Sequence, residues 1–192
     1  MDKLILVNKS NPLKKEKMDD IIEVPKEIST IPKTRPFYEL EKETLKAFKN
    51  LRNEAIKQNI ELLVDDGYRT FKTQREVYKN LTNSKGKEYA NEVVAKVGES
   101  EHHTGLAIDL AVVKDGKILD DDESGEILEH IHPILYKYGF ILRYPKEKEK
   151  ITGYPYEPWH IRYIGKEEAT IMHNKNIKTL EEYIDIKKHK NL

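Results

Sequence analysis

Residues 100–119 read SEHHTGLAIDLAVVKDGKIL, which is a polar segment followed by two apolar runs. The runs, residues 106–113 and 118–119, are joined by the polar tetrapeptide KDGK. Because Asp-Gly suits a tight turn between neighbouring strands, this pattern predicts an antiparallel β-hairpin.

Helices and short strands are predicted on both sides of this hairpin. Apolar and capping patterns predict helices over residues 38–59, 70–81, 87–97 (stopped by Gly98), 123–138 (bent or restarted at Pro133) and from the capping box of residues 179–182. Short apolar runs predict strands at residues 4–7, 61–66, 139–143 and 159–164. Since these elements are mixed without strict β-α-β alternation, we expect an α+β fold with a central, mostly antiparallel sheet flanked by helices.

The length of 192 residues suits a single domain. Residues 8–36 contain four prolines and many charges, a composition typical of an extended arm or surface loop. We therefore expect residues 1–37 to form an N-terminal strand and an extended arm, and residues 38–192 to form the core of the domain.

The charge balance and the absence of cysteine exclude several functions. Lys plus Arg and Asp plus Glu are 34 each, so the chain has no net charge that would attract nucleic acid or an anionic membrane. With no cysteine there is no disulfide, no thiol nucleophile and no thiolate metal ligand. Any metal site must therefore use His, Asp and Glu.

The N-terminal sequence gives an expectation about location. Its apolar run, residues 4–7, is shorter than the roughly 7–15 apolar residues of a secretory signal and the roughly 20 of a membrane span. We expect no membrane span and a cytoplasmic location, unless a leader has been removed.

His102 and Asp109 are the first candidates for chemistry. Both are good zinc ligands, and Gly105 between them permits a turn. Asp109 lies inside an apolar strand, where a carboxylate is costly to bury unless it is paired or bound to a metal. The alternative is that Asp109 makes a local cap or salt bridge.

Glu157 and His160 form the second candidate, in the sequence Glu-Pro-Trp-His. Pro158 fixes the backbone between them, so a bend there would direct both side chains to one point. The alternative is an ordinary turn with a core histidine and a surface glutamate, since Glu-x-x-His is common by chance.

Arg69 is the third candidate. It follows Asp66-Gly67-Tyr68 at a predicted corner between a strand and a helix, where side chains commonly face a cleft. The alternative is a surface arginine in an ion pair.

Together the three segments supply the parts for metal-assisted amide hydrolysis. Two imidazoles and one carboxylate leave a fourth position open on zinc, which is typical of a catalytic site. Glu157 provides a general base, and Arg69 provides a fixed positive charge for an oxyanion or a carboxylate.

The combined pattern resembles peptidase family M15, which comprises zinc peptidases of the hedgehog/D-Ala-D-Ala-peptidase fold group. The similarity is carried by Ser-x-His-x-x-Gly-x-Ala-x-Asp at residues 100–109 and Glu-Pro-Trp-His at residues 157–160, with Gly-Tyr-Arg upstream. The segments LILVNKSNPL, YGFILRYP and ITGYPYEPWHIRYIG resemble the VanY and VanXY D,D-peptidases of glycopeptide resistance. The similarity extends from Leu4 to about Tyr183.

The resemblance implies a role for each matching residue. It implies one Zn²⁺ per chain held by His102, Asp109 and His160, with Glu157 as the catalytic base and Arg69 as the stabiliser of negative charge. It also implies a substrate pocket whose residues include Ser100, Gln74, Tyr68, Trp159 and Tyr154, with Ser100 the favoured partner of the terminal carboxylate. Asp66 stands where many wall-acting relatives have serine, so we take it as a further pocket residue and a candidate partner for a dipeptide ammonium. The alternative is that Asp66 only makes the turn before Gly67. His103, His130 and His132 are expected to be structural or exposed.

The implied activity is hydrolysis of D-Ala-D-Ala bonds, in the free dipeptide or in the UDP-linked pentapeptide precursor, by a monomer or homodimer. A VanXY-like bifunctional enzyme fits the missing export signal. The alternatives are an L,D-carboxypeptidase or L-alanyl-D-glutamate endopeptidase on the same site, and a non-catalytic zinc domain.

Overall fold

A computed structural model describes residues 2–16, 20–31 and 35–190. The strands are β1 (Ile21–Glu23), β2 (Glu39–Glu41), β3 (Glu61–Asp66), β4 (Ala107–Lys114), β5 (Lys117–Ile118), β6 (Phe140–Leu142) and β7 (His160–Tyr163). The α-helices are α1 (Lys42–Lys57), α2 (Phe71–Lys85), α3 (Lys87–Val93), α4 (Asp121–Ile131), α5 (Glu149–Thr152), α6 (Lys166–Asn174) and α7 (Leu180–Lys190). Short 3₁₀ helices cover Lys26–Ile28, Glu101–Thr104 and His132–Tyr138.

The main sheet is antiparallel and has the order β3-β4-β7-β6, with β5 paired to β4. Strands β1 and β2 form a separate antiparallel pair. Helices flank the main sheet, so the predicted α+β class is confirmed.

The core lies between this sheet and helix α1. Alternate residues of β3 and β4, such as Leu62 and Ile108, are fully buried, as the two-residue period of a strand requires. They pack with Phe48 and Leu51 from the apolar stripe of α1. Burying such a side chain stabilises the fold by roughly 1.5–3 kcal/mol. A second cluster joins α6 and α7 to the other end of the sheet.

Several local predictions are confirmed. Strand β3 has the predicted bounds, and β4 and β5 form the predicted hairpin. Asp115 and Gly116 at its turn both have positive φ, as a type I′ turn requires. After α4 the chain continues as a 3₁₀ helix that has Pro133 in its first turn. Thr179 and Glu182 form the capping box of α7.

The N-terminal predictions need correction. Residues 4–7 form no strand, because the carbonyl groups of Lys3 and Ile5 accept hydrogen bonds from the guanidinium of Arg162 instead of from a neighbouring strand. The predicted arm contains β1 and a 3₁₀ helix. Its residues 17–19 and 32–34, like residues 1 and 191–192, lie outside the described part of the chain.

The boundaries of helices α1 and α3 also differ from the prediction. Helix α1 begins at Lys42 because the preceding residues form β2, and the side chain of Glu41 caps the helix. Helix α3 ends at Val93, so Gly98 does not stop it; Gly98 instead approaches the carbonyl of Leu13 with positive φ. Helices α5 and α6 had no prediction. No helix in the described ranges is long and apolar enough to cross a lipid bilayer.

Candidate active site

Asp109 and His160 meet because the register of the sheet pairs them. They are direct partners across the antiparallel strands β4 and β7, so their side chains lie on the same face. The Oδ1 atom of Asp109 lies 2.8 Å from Nδ1 of His160. Two motifs whose ligand candidates are 51 positions apart in the sequence thus become neighbours.

His102 reaches the same point from the 3₁₀ turn before β4. Its Nδ1 lies 2.6 Å from the carbonyl oxygen of Gly67, and its Nε2 lies 3.2 Å from Oδ2 of Asp109. Gly105 ends the turn with φ of +69°, and a Cβ there would lie 2.9 Å from the backbone nitrogen of Glu41. Glycine is therefore required for the turn that presents His102.

The three side chains fit a metal ion. One ligand atom from each of His102, Asp109 and His160 lies within 4.8 Å of the other two. Two imidazole nitrogens and a carboxylate oxygen form a donor set that zinc commonly takes. The Gly67 carbonyl fixes the His102 ring so that Nε2 faces the cluster.

The two imidazoles differ in their protonation. Burial, reinforced by the charge of Arg69, lowers the pKa of His102, which favours the neutral form that binds metal. Burial also lowers the pKa of His160, but the carboxylate of Asp109 outweighs it and raises this pKa to about 9. A metal ion bound at His160 would therefore displace a proton from its imidazole.

Arg69 lies over this cluster at the corner between β3 and α2. Its guanidinium donates to Oδ2 of Asp66 at 2.9 Å, to Oδ2 of Asp109 at 3.3 Å and to Oε1 of Gln74 at 3.3 Å. Its side chain is 14% exposed, so the charge is held in place but still borders the cavity. Acceptors on three sides orient a permanent positive charge.

Glu157 lies in the loop before β7, where its backbone nitrogen donates to the carbonyl of Tyr144 at 3.2 Å. Its Oε2 lies 3.8 Å from Nδ1 of His160. Burial raises the pKa of the Glu157 carboxyl to about 7, and the charge of Asp109 also raises it, while that of His160 lowers it. A carboxyl with a pKa near neutrality is suited to both accepting and donating a proton.

These residues share one cavity of about 460 Å³. It is lined by Arg69, His102, Asp109, Glu157 and His160, and by Ser100, Tyr154 and Trp159 among the residues that the resemblance implied for the pocket. Apolar side chains of α2 and α3 and the segment after α3, among them Val77, Tyr89 and Val94, form another wall. The buried hydroxyl of Tyr154 has no hydrogen-bond partner among the described residues.

Three predicted pocket residues do not line this cavity. Both carboxylate oxygens of Asp66 are engaged, one with Arg35 and the Gly67 amide and the other with Arg69, so its position favours the turn over contact with a substrate ammonium. Gln74 is fully buried behind Arg69 and donates to the Ala95 carbonyl at 2.7 Å. Tyr68 is 2% exposed and does not line the cavity.

His103, His130 and His132 have structural or exposed positions, as predicted. In His103, Nδ1 contacts the carbonyl oxygen of Arg69 at 2.7 Å and Nε2 accepts from the amide of Gly98 at 3.1 Å. His132 donates from Nε2 to the Pro158 carbonyl at 2.9 Å, and His130 is exposed. The loop that carries Glu157 is thus tied down from outside the cavity.

Sequence reasoning missed Glu101 and Tyr144. Glu101 is fully buried next to His102, and the ring of Tyr144 lies 4.9 Å from the ring of His160. The sequence signal for Glu101 was its charge directly before the candidate ligand His102. For Tyr144 the sequence showed only that it follows a predicted strand.

The antiparallel α+β fold, together with a His-Asp-His cluster beside a carboxyl and a guanidinium, defines a metallopeptidase. The chain belongs to the VanY D-alanyl-D-alanine carboxypeptidase family, whose model matches residues 38–166. This family is part of the M15 peptidases that the motifs resemble.

Curated relatives match almost the whole chain. It is 40% identical over 184 residues to the putative carboxypeptidase YodJ of Bacillus subtilis, covering 95% of this chain and 67% of the relative. It is 35% identical to a D-alanyl-D-alanine carboxypeptidase of Enterococcus faecium, of whose length it spans 57%. It is 36% identical to the bifunctional D-Ala-D-Ala dipeptidase and carboxypeptidase VanXYC of Enterococcus gallinarum, covering 96% of this chain and 95% of the relative.

Solved structures share the fold. The LdcB LD-carboxypeptidase is 37% identical with a TM-score of 0.79, covering 94% of this chain and 84% of its own. A variant of the vancomycin resistance D,D-pentapeptidase VanY, solved in complex with Zn(II), is 28% identical with a TM-score of 0.80, covering 96% and 99%.

Proposed function

We propose that this protein is a zinc-dependent D,D-carboxypeptidase that removes the terminal D-alanine from peptidoglycan precursors ending in D-Ala-D-Ala. The observation that carries the proposal is the convergence of His102, Asp109, His160, Glu157 and Arg69 on one cavity in a chain of the VanY family. The zinc complex of the VanY relative supports the choice of metal.

His102 Nε2, Asp109 and His160 Nδ1 would hold the ion. When bound there, zinc supplies a Lewis acid that polarises a carbonyl group and makes water a stronger acid. The other requirements of amide hydrolysis, a base and a fixed positive charge, come from this chain's own side chains.

Glu157 accepts the proton of the attacking water and then delivers it to the departing amine of D-alanine. Its raised pKa matches both steps, because a carboxyl near pKa 7 exchanges protons readily at neutral pH. Arg69 faces the same cavity with a charge that Asp66 and Gln74 hold in position, so it stabilises the negative charge that develops on the carbonyl oxygen.

The cavity bears on substrate size. Val77, Tyr89 and Val94 line the same cavity as the polar cluster, so they would offer apolar surface to the residues that precede D-Ala-D-Ala. This favours a peptide precursor such as the UDP-linked pentapeptide. We propose hydrolysis of the free dipeptide as a second activity, since VanXYC has both activities and matches along nearly its whole length.

The test is release of D-alanine by purified protein loaded with zinc. D-Ala-D-Ala, D-Ala-D-lactate, and UDP-linked penta- and tetrapeptides are offered at equal concentration. We expect the fastest release from the pentapeptide. The proposal fails if the pentapeptide releases no D-alanine.

An L,D-carboxypeptidase is the second candidate. It is favoured by the LdcB structure, which is 37% identical to this chain. The same panel separates the two, because an L,D-enzyme releases D-alanine from the tetrapeptide and leaves the pentapeptide intact.

A further inference from the structure

Two buried polar atoms beside the candidate active site face each other without a partner. They are Nε2 of His160 and Oε2 of Glu101, and each lacks a hydrogen bond within the described part of the chain. They lie 3.8 Å apart, slightly beyond hydrogen-bond distance. Buried polar groups without partners are rare, so the pair calls for an explanation.

The carboxylate of Glu101 cannot turn away from His160. Its other oxygen, Oε1, accepts from Nε of Arg143 and from a terminal nitrogen of Arg162, both at 2.7 Å. All three side chains are fully buried.

Both arginines are fixed in turn. Arg143 makes two bonds, of 2.6 and 2.9 Å, to Glu181 on α7. Arg162 donates to the carbonyl groups of Lys3 and Ile5. Elements from both ends of the chain therefore hold the orientation of Glu101.

The ring of His160 is confined as well. The ring of Tyr144 lies 4.9 Å away on one side, and the ring of His102 packs edge-on at 5.0 Å. With Nδ1 directed at Asp109, the only carboxylate described near Nε2 is that of Glu101.

We propose that Glu101 is a positioning residue for metal binding, whose Oε2 accepts the Nε2 proton of His160 and so leaves the Nδ1 lone pair free for the ion. A ligating histidine usually donates its second N–H to a carboxylate or carbonyl, and this fixes its tautomer. The separation of 3.8 Å exceeds an ordinary N–H···O hydrogen bond by less than about 1 Å, so a small shift of the ring toward Oε2 would complete the bond. The proposal rests on the proposed role of His160 as a ligand.

The variant Glu101→Gln tests the proposal by reversing the hydrogen bond. The arginines require an acceptor oxygen on their side. The NH₂ group of the glutamine would therefore face His160 and donate to Nε2. This favours the tautomer with a proton on Nδ1, which cannot bind metal. We expect zinc affinity to fall roughly 10–100-fold.

Zinc affinity is measured on the full chain by competition with a chromophoric chelator, without any peptide substrate. Failure of the proposed peptidase activity therefore leaves this test intact. The matched control is Glu181→Gln, which removes a carboxylate from Arg143 but does not approach His160. We expect the control to lower the unfolding temperature while zinc affinity stays within about twofold of the wild type. Equal affinity in the wild type and Glu101→Gln would overturn the proposal.

A second measurement covers the case in which Glu101→Gln does not fold. In the ¹⁵N-histidine-labelled wild type with zinc, we expect the Nε2 proton of His160 to resonate downfield and exchange slowly with water. A rapidly exchanging Nε2 proton contradicts the hydrogen bond to Glu101.

Discussion

Two buried ionic clusters lie side by side on the main sheet and differ in what their charges face. The arginine cluster, formed by Glu101, Arg143, Arg162 and Glu181, pairs two carboxylates with two guanidinium groups inside the protein. The metal-site cluster, formed by His102, Asp109, His160, Glu157 and Arg69, borders an open cavity.

The difference separates structural from functional charge. In the arginine cluster the strong ion pairs hold the pKa of Glu101 below its ordinary range, although burial alone would raise it. In the metal-site cluster, burial dominates at Glu157 and raises the pKa of its carboxyl to about 7. The two guanidinium groups fix Glu101 inside the protein, whereas the incompletely paired Glu157 at the cavity is available for chemistry.

The largest effect is expected at Asp109, the centre of the metal-site cluster. Asp109→Ala removes the carboxylate between the two imidazoles, so we predict loss of both zinc binding and turnover. Metal content by mass spectrometry and D-alanine release check this. Retention of one zinc per chain would contradict the assignment.

Glu157→Ala separates chemistry from metal binding. We predict that zinc stays bound while turnover falls by about 10²–10⁴-fold, the usual contribution of a general base. The exposed Glu76→Ala on α2 serves as the control and should keep its activity. Near-normal turnover of Glu157→Ala would refute its role.

Arg162→Ala removes one guanidinium from the arginine cluster. It leaves Glu101 buried with one guanidinium fewer, and breaking a buried pair in this way costs about 3–5 kcal/mol. Urea unfolding of the wild type and the variant measures the loss. A loss below about 1 kcal/mol would show that the cluster does not stabilise the fold.

Asp66→Ser distinguishes a supporting residue from a substrate contact. Since Asp66 orients Arg69 and does not line the cavity, we predict equal losses of turnover on dipeptide and pentapeptide. A loss confined to the dipeptide would instead favour contact between Asp66 and the substrate ammonium.

Thr179→Ala should have the smallest effect. It removes the capping box of α7, the helix that carries Glu181, and should cost about 1 kcal/mol. Thermal unfolding measures the change, and turnover at 25 °C should not differ from the wild type. A large fall in turnover would mean that the two clusters are coupled through α7.

The sequence predicted the parts that depend on local chemistry. The Asp-Gly turn, the apolar strand around Asp109 and the Thr179 cap are each specified within a few residues. These elements could be predicted because their formation depends on neighbouring residues in the sequence.

What could not be predicted depends on contacts between distant segments. Arg143 and Arg162 look like polar positions in short apolar strands, and only the register of β6 with β7 brings both to Glu101. The hydrogen bonds of Arg162 to the carbonyl groups of Lys3 and Ile5 likewise explain why residues 4–7 form no strand. The role of Asp66 could not be predicted either, because its partner Arg35 lies 31 positions away in the sequence.

Titration of metal-free protein with zinc, with D-alanine release from the pentapeptide followed at each step, tests the central claim most directly. We predict that activity rises linearly and stops at one zinc per chain, since His102, Asp109 and His160 form a single site. Full activity before zinc is added, or one bound zinc with no release of D-alanine, would contradict the account.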